Sequence, residues 1–161
     1  MGRIYFGAYT GTFTNAGGNT DLISIQPADD KPCLLRYFCI SQISEVGDTA
    51  EEGIQVSLHR MPATFTVGSG GSAITTAKGD RGGTATGATV RCNDTTVAST
   101  SGTDEIFGYV GWNVRAVFDW WGVEEKFCIQ AAQGDGIVVR ADTTPADDMT
   151  INIMFAYEEL G

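Results

Sequence analysis

The residues that most constrain this chain lie near its C-terminal end, from Gly136 to Tyr157. In Met149 to Tyr157 the odd positions Met149, Ile151, Ile153, Phe155 and Tyr157 are apolar, while Thr150, Asn152 and, beyond them, Glu158 are polar. A period of two is that of a strand with one face buried. Ahead of it, Gln133-Gly134-Asp135-Gly136 supplies a glycine turn, and Ile137, Val138 and Val139 supply a second strand. Between the two lies Thr143-Thr144-Pro145-Ala146-Asp147-Asp148. Pro145 has no N–H for a ladder and the aspartates favour turns, so this segment is either a hairpin loop or a connection between sheets. The apolar face of such a strand pair needs other sheets to cover it.

The rest of the chain supplies them. Arg3 to Tyr9, Leu22 to Gln26, Cys33 to Ile43, Ile54 to Arg60, Ala85 to Cys92 and Lys126 to Ala131 read as strands, divided by turns rich in Gly, Asn, Asp and Pro. Ile106 to Trp121 is the most aromatic segment, and Gly108 and Gly111 predict a bulge or bend within it. Eight to ten short strands without a helical period predict an all-β fold, a single β-sandwich domain over residues 1–161, with a jelly roll as the expected topology. Cys33 to Ile43 is apolar on both faces. It is expected to be covered on one side by a second sheet and on the other by a loop or a neighbouring subunit, which makes a homo-oligomer, a trimer about a symmetry axis, the expected assembly.

Charge and length exclude several classes. A chain of 161 residues can bury a sizeable core without disulfides or a metal. No apolar run approaches the roughly 20 residues of a membrane span, so no membrane partner is expected. Twenty acidic and ten basic residues give a net charge of -10, which repels bare nucleic acid. Met1 to Phe6 has no basic region followed by an apolar core, so synthesis and use without export are expected. Cys33 and Cys39 would lie about 20 Å apart along a straight strand, too far for a disulfide. Cys92 and Cys128 are isolated, and all four cysteines are expected to be free thiols.

Nothing in the sequence carries a catalytic, cofactor or metal signature. His59 is the single histidine and falls on the polar face of its strand; no G-x-S-x-G element supplies a nucleophile for it. The acidic stretch Glu45 to Glu52 lacks the spacing of a calcium loop. Gly68-Ser69-Gly70-Gly71-Ser72-Ala73 opens a polar stretch through Gly83, but Lys78 is followed by Gly79 rather than by Ser or Thr, so it is not a phosphate loop. A loop of that length is expected to be a surface arm, a binding loop or a partly disordered segment, and contact with a partner is one way of holding it in place.

The stretches QISEVGDTAEEGIQVSLHR at Gln42 to Arg60, GSGGSAITT at Gly68 to Thr76, CNDTTVAST at Cys92 to Thr100, WNVRAVFDWW at Trp112 to Trp121 and IVVRADTTPADDMTINIMFAYEEL at Ile137 to Leu160 resemble a group of small proteins from tailed bacteriophages and prophages. The resemblance runs over nearly the whole chain. It departs at Ala77 to Gly83, where a proline-rich stretch is expected. It implies a component of the virus particle, with a location on the capsid surface after synthesis in the host cytoplasm.

The function expected from residues and resemblance together is a non-enzymatic capsid decoration or cement protein. Its partner would be the major capsid protein, bound on the outside of the head and away from the packaged DNA. The expected contacts are Ile4, Tyr5, Phe6 and Tyr9 in the first strand, and Ser69, Ser72, Ile74, Lys78 and Arg81 in the long loop. The alternative is a carbohydrate-binding module of a head or tail fibre, whose signature would be exposure of Trp112, Trp120 or Trp121.

Overall fold

A computed structural model describes residues 2–45, 51–124 and 128–161. Its elements are all strands: β1 (Arg3–Phe13), β2 (Thr20–Gln26), β3 (Cys33–Gln42), β4 (Gly53–Met61), β5 (Ser72–Ala73), β6 (Ala77–Lys78), β7 (Thr89–Asp94), β8 (Glu105–Asn113), β9 (Phe118–Trp121), β10 (Ile129–Ala131), β11 (Gly136–Ala141) and β12 (Met149–Glu159). They form two antiparallel sheets packed as a sandwich. Sheet A runs β6-β1-β12-β3, with β9 and β10 both pairing with the far side of β3; sheet B runs β5-β7-β2-β11-β4-β8.

Alternation in β12 does what the sequence predicts. Met149, Ile151, Ile153, Phe155 and Tyr157 are all buried in the core between the sheets. The connection through Pro145 leads from β11 in sheet B to β12 in sheet A, so it joins sheets rather than closing a hairpin. In β1 the inward set is Tyr5, Gly7, Tyr9, Gly11 and Phe13, and the strand continues past Tyr9 because Phe13 still reaches the core opposite Met149. Each large apolar side chain so buried contributes roughly 1.5–3 kcal/mol.

Several expected boundaries move for local reasons. The strand expected from Ala85 begins at Thr89, because Thr86, Gly87 and Ala88 instead wrap around the Glu159 carboxylate. The aromatic segment from Ile106 breaks into β8 and β9, which lie in different sheets. The expected bulge is found at Phe107, beside Gly108, where the register with β4 shifts between Leu58 and His59. Residues 46–50 of the acidic stretch, and Lys126 and Phe127 of the expected strand before Ala131, lie outside the described residues. All four cysteines are free, with Cys33 and Cys92 buried.

Candidate functional site

Residues 62–104 leave the end of β4 and return as β8 only after crossing the outer face of sheet B and the adjoining edge of the sandwich. The crossing begins on a small apolar cluster of Met61, Phe65, Ala98 and Val138. Polar side chains then hold the backbone down. Arg140 Nε donates to Asp21 Oδ1 at 2.6 Å, Arg140 Nη2 donates to Ala98 O at 3.1 Å, and Ala98 N donates to Asp21 Oδ2 at 2.5 Å. Burial pushes the Asp21 carboxyl up from its ordinary value, against the opposing pull of the Arg140 guanidinium. A second ion pair, Arg91 with Asp94, positions a carboxylate oxygen that accepts from Gly71 N at 2.9 Å.

The segment then turns the corner of the sandwich. β5 pairs with β7 at the edge of sheet B, and four residues after it β6 pairs with β1 at the edge of sheet A. Ile74, between them, packs half-buried against the core. Gly79 N donates to Ile4 O at 2.8 Å, Arg3 bonds Thr84, and the Glu159 carboxylate accepts from Thr86 Oγ1 at 2.8 Å and Gly87 N at 2.9 Å. These intramolecular contacts hold the loop against the sandwich and offset its conformational entropy.

The expected contact residues divide sharply. Tyr5 is 1% exposed, and its hydroxyl donates to Thr84 O at 3.1 Å; it belongs to the core rather than to a surface. Tyr9 packs half-buried against the same core and accepts from Asn93 Nδ2 at 3.0 Å. The reason is the strand period: Tyr5 and Tyr9 share the inward face, and Ile4 and Phe6 share the outward one. Ser69 and Ser72 are exposed along the edge of sheet B, away from the Ile4–Phe6 group. Ile4 and Phe6 meet the loop at the edge of sheet A, where Ala77 pairs with Phe6 and Gly79 N donates to Ile4 O; Lys78 pairs with Tyr5 and so takes the opposite face from Phe6, and Arg81 follows in the adjoining turn.

That edge continues into an apolar band across the outer face of sheet A. Register places Ala77 beside Phe6, Phe6 beside Ala156, Ala156 beside Tyr37 and Tyr37 beside Trp121, one residue from each of five strands. Met154 stands in the next row, between Ala8 and Cys39. Phe6, Met154 and Trp121 are 45%, 49% and 60% exposed, and Tyr37 lies against Trp121 with ring centroids 4.3 Å apart. A depression of about 560 Å³ lies among these side chains. The sequence reading missed Tyr37 and Met154, although Met154 is the one large apolar residue on an outward, even position of β12.

Charge marks the same edge. Lys31, Arg36, Arg60, Arg91 and Arg140 are each in an ion pair with a carboxylate. Among the described residues Arg3, Lys78, Arg81 and Arg115 are in none; Arg3 bonds Thr84 and Lys78 Nζ donates to Gly83 O at 2.7 Å, both on the Tyr5 side of β1. A chain of net charge -10 thus carries basic residues in no ion pair at the edge where its apolar band begins, with Arg3 and Lys78 on the opposite face of their strands from Phe6.

Two further groups bear on chemistry. His59 Nε2 lies 2.6 Å from Ser57 Oγ, and its Nδ1 lies 2.9 Å from the Asp104 carboxylate. Period two places Ser57 on the same face of β4 as His59, but the sequence reading did not join the two or bring Asp104 to them. The sequence of donors and acceptors is that of a serine-hydrolase relay, but Ser57 is 0% exposed, so no substrate carbonyl can approach its oxygen in this conformation. The group ties the end of the crossing segment to β4. No cluster of His, Cys, Asp and Glu suited to a metal occurs among the described residues. Of the tryptophans, Trp112 is buried with its Nε1 donating to Ala116 O at 2.8 Å, Trp120 is half-buried, and Trp121 is exposed.

No protein-family model and no curated protein matches the chain. Among solved structures, that of the infectious bursal disease virus Gx strain aligns at a TM-score of 0.21 and 15% identity, over 98% of this chain and 41% of that one. The crystal structure of the T13 IBDV viral particle aligns at 0.15 and 12%, over 95% and 39%. The chain spans about two fifths of the length of these chains, at scores too low to carry an inference.

Proposed function

We propose that this chain is a non-enzymatic structural protein of a virus particle, docking on the outside of a protein shell as a decoration or cement protein. The observation that carries it is the exposed band Phe6–Ala156–Tyr37–Trp121, with exposed Met154 in the next row. Exposed apolar patches of this extent, rimmed by polar groups, mark protein interaction sites. The shell partner, a major capsid protein, would present an apolar surface. The pairing order fits the role: β1 with β12, β2 with β11, β3 with β9 and β10, and β4 with β8. A long hairpin so paired, then rolled to bring β12 beside β3 and β11 beside β4, has the strand order of a jelly roll, an architecture used in viral capsids. Overall negative charge keeps the chain off packaged DNA, and many bound copies stabilise the assembled shell by mass action.

The test compares heat-induced genome release from particles lacking the protein with release after adding back the native chain or Phe6→Glu. Undecorated heads should release at lower temperature, the native chain should restore them, and Phe6→Glu should fail to bind. Equal stability of bare heads, or binding only at the tail, would overturn the reading. The exposed Trp121 ring, in tilted contact with Tyr37, favours a second reading, a sugar platform on a fibre. Glycan binding abolished by Trp121→Ala would support that reading instead.

A further inference from the structure

The last strand of sheet B, β8, has no neighbour on its outer side among the described residues. It is nine residues long, whereas β5 and β6, at the opposite edges of the two sheets, have two each. It contains neither lysine nor proline, the residues with which proteins usually blunt an exposed edge. Ile106, Phe107 and Tyr109 are 45%, 52% and 60% exposed along it. The bulge at Phe107 leaves Gly108 to Asn113 as the straight portion.

We infer that β8 pairs antiparallel with β8 of a second copy, about a two-fold axis at Val110, so that sheet B continues through a dimer. Three features of the strand agree on this occupant and register. Tyr109 and Gly111 lie on one face, opposite Ser57 and Gln55 of β4, and the two-fold sets each Tyr109 directly across from Gly111 of the other copy. A Cβ at Gly111 would meet nothing within 4 Å, and a depression of about 500 Å³ lies beside it, bounded by Gly53, Gln55 and Thr143. A tyrosine ring laid over a cross-strand glycine fills such a space.

The third feature is charge. Asp104, bonded to His59, and Glu105, paired with Arg60, stand at one end of β8, and exposed Arg115, in no ion pair among the described residues, stands just past the other. The same two-fold brings the Asp104–Glu105 end of one copy toward the Arg115 end of the other, at both ends of the pairing, where Arg115 would share Glu105 with Arg60. Parallel pairing would set Glu105 against Glu105. Because the surface is on sheet B, it is separate from the docking band on sheet A, and its failure leaves that reading untouched.

Sedimentation equilibrium of the full chain tests the inference. The native protein should be a dimer, Tyr109→Lys should be a monomer, and Arg115→Glu should dissociate at least tenfold more readily. The exchanged pair Glu105→Arg/Arg115→Glu should recover the dimer, which a variant merely damaged in folding would not do. A native monomer or trimer, or a dimer indifferent to both Tyr109→Lys and Arg115→Glu, would overturn it.

Discussion

The ring of Phe155 lies over Gly7, its direct cross-strand partner on β1, so closely that a methyl group on Gly7 would overlap the ring. Gly7 is flanked by inward Tyr5 and Tyr9, and the space it leaves is what admits Phe155 between β1 and the opposing sheet. Gly136 stands in the same relation to Phe65 on the outer face of sheet B. These glycines are cavities for aromatic rings rather than turn residues.

Gly7→Ala should therefore destabilise the fold by about 1–3 kcal/mol, the usual effect of overpacking a filled core. Urea unfolding measures it. A change within about 0.5 kcal/mol would mean that the Phe155 ring can move aside freely.

Asp21 and Arg140 are 119 residues apart in sequence, and together they fix both polar backbone groups of Ala98. Asp21→Ala leaves the Arg140 guanidinium buried without its counter-charge and should cost about 3–5 kcal/mol. The double change Asp21→Leu/Arg140→Met should cost less, since no unpaired charge remains. Limited proteolysis should also show faster cleavage within residues 62–104 in the single variant.

His59→Ala removes the link between Ser57 and Asp104 and leaves both without this bond. With Ser57 left unpaired in a buried site, a loss of about 1–3 kcal/mol is expected. Thermal unfolding of the variant beside Ser57→Ala would separate the two contributions, because Ser57→Ala removes the group that His59→Ala strands.

Stability should fall at alkaline pH. Burial pushes the Cys33 thiol from 9.0 up to about 12, and also raises the Cys92 thiol and moves the Tyr157 hydroxyl up to about 12. The folded chain keeps these protons where the unfolded chain releases them, so their stabilisation is complete below the unfolded values. It is lost as pH rises from about 9 toward 12, at about 1.4 kcal/mol per pH unit for each group in its window. Urea midpoints between pH 7 and 10.5 should drop accordingly, and Cys33→Ala should flatten the slope. Thiol titration should find Cys39 and Cys128 reacting ahead of buried Cys33 and Cys92, and all four in denaturant.

The sequence by itself determined the strands whose two faces differ in polarity. β12 and β4 alternate cleanly, so their inward residues could be named from period two alone. β1 could not be resolved that way, because Ile4 and Phe6 on one face are as apolar as Tyr5 and Tyr9 on the other. Only tertiary structure decided between them, by pairing β1 with β12 and placing Tyr5 against Tyr157 with ring centroids 5.5 Å apart. It likewise decided that Phe6, Tyr37 and Trp121 share one row, that Asp21 meets Arg140, and that Asp104 reaches His59. Alternation is a local property of neighbouring residues, whereas these contacts depend on which distant strands pair and in what register, which the hydrogen-bond ladders and core packing of the whole sandwich select.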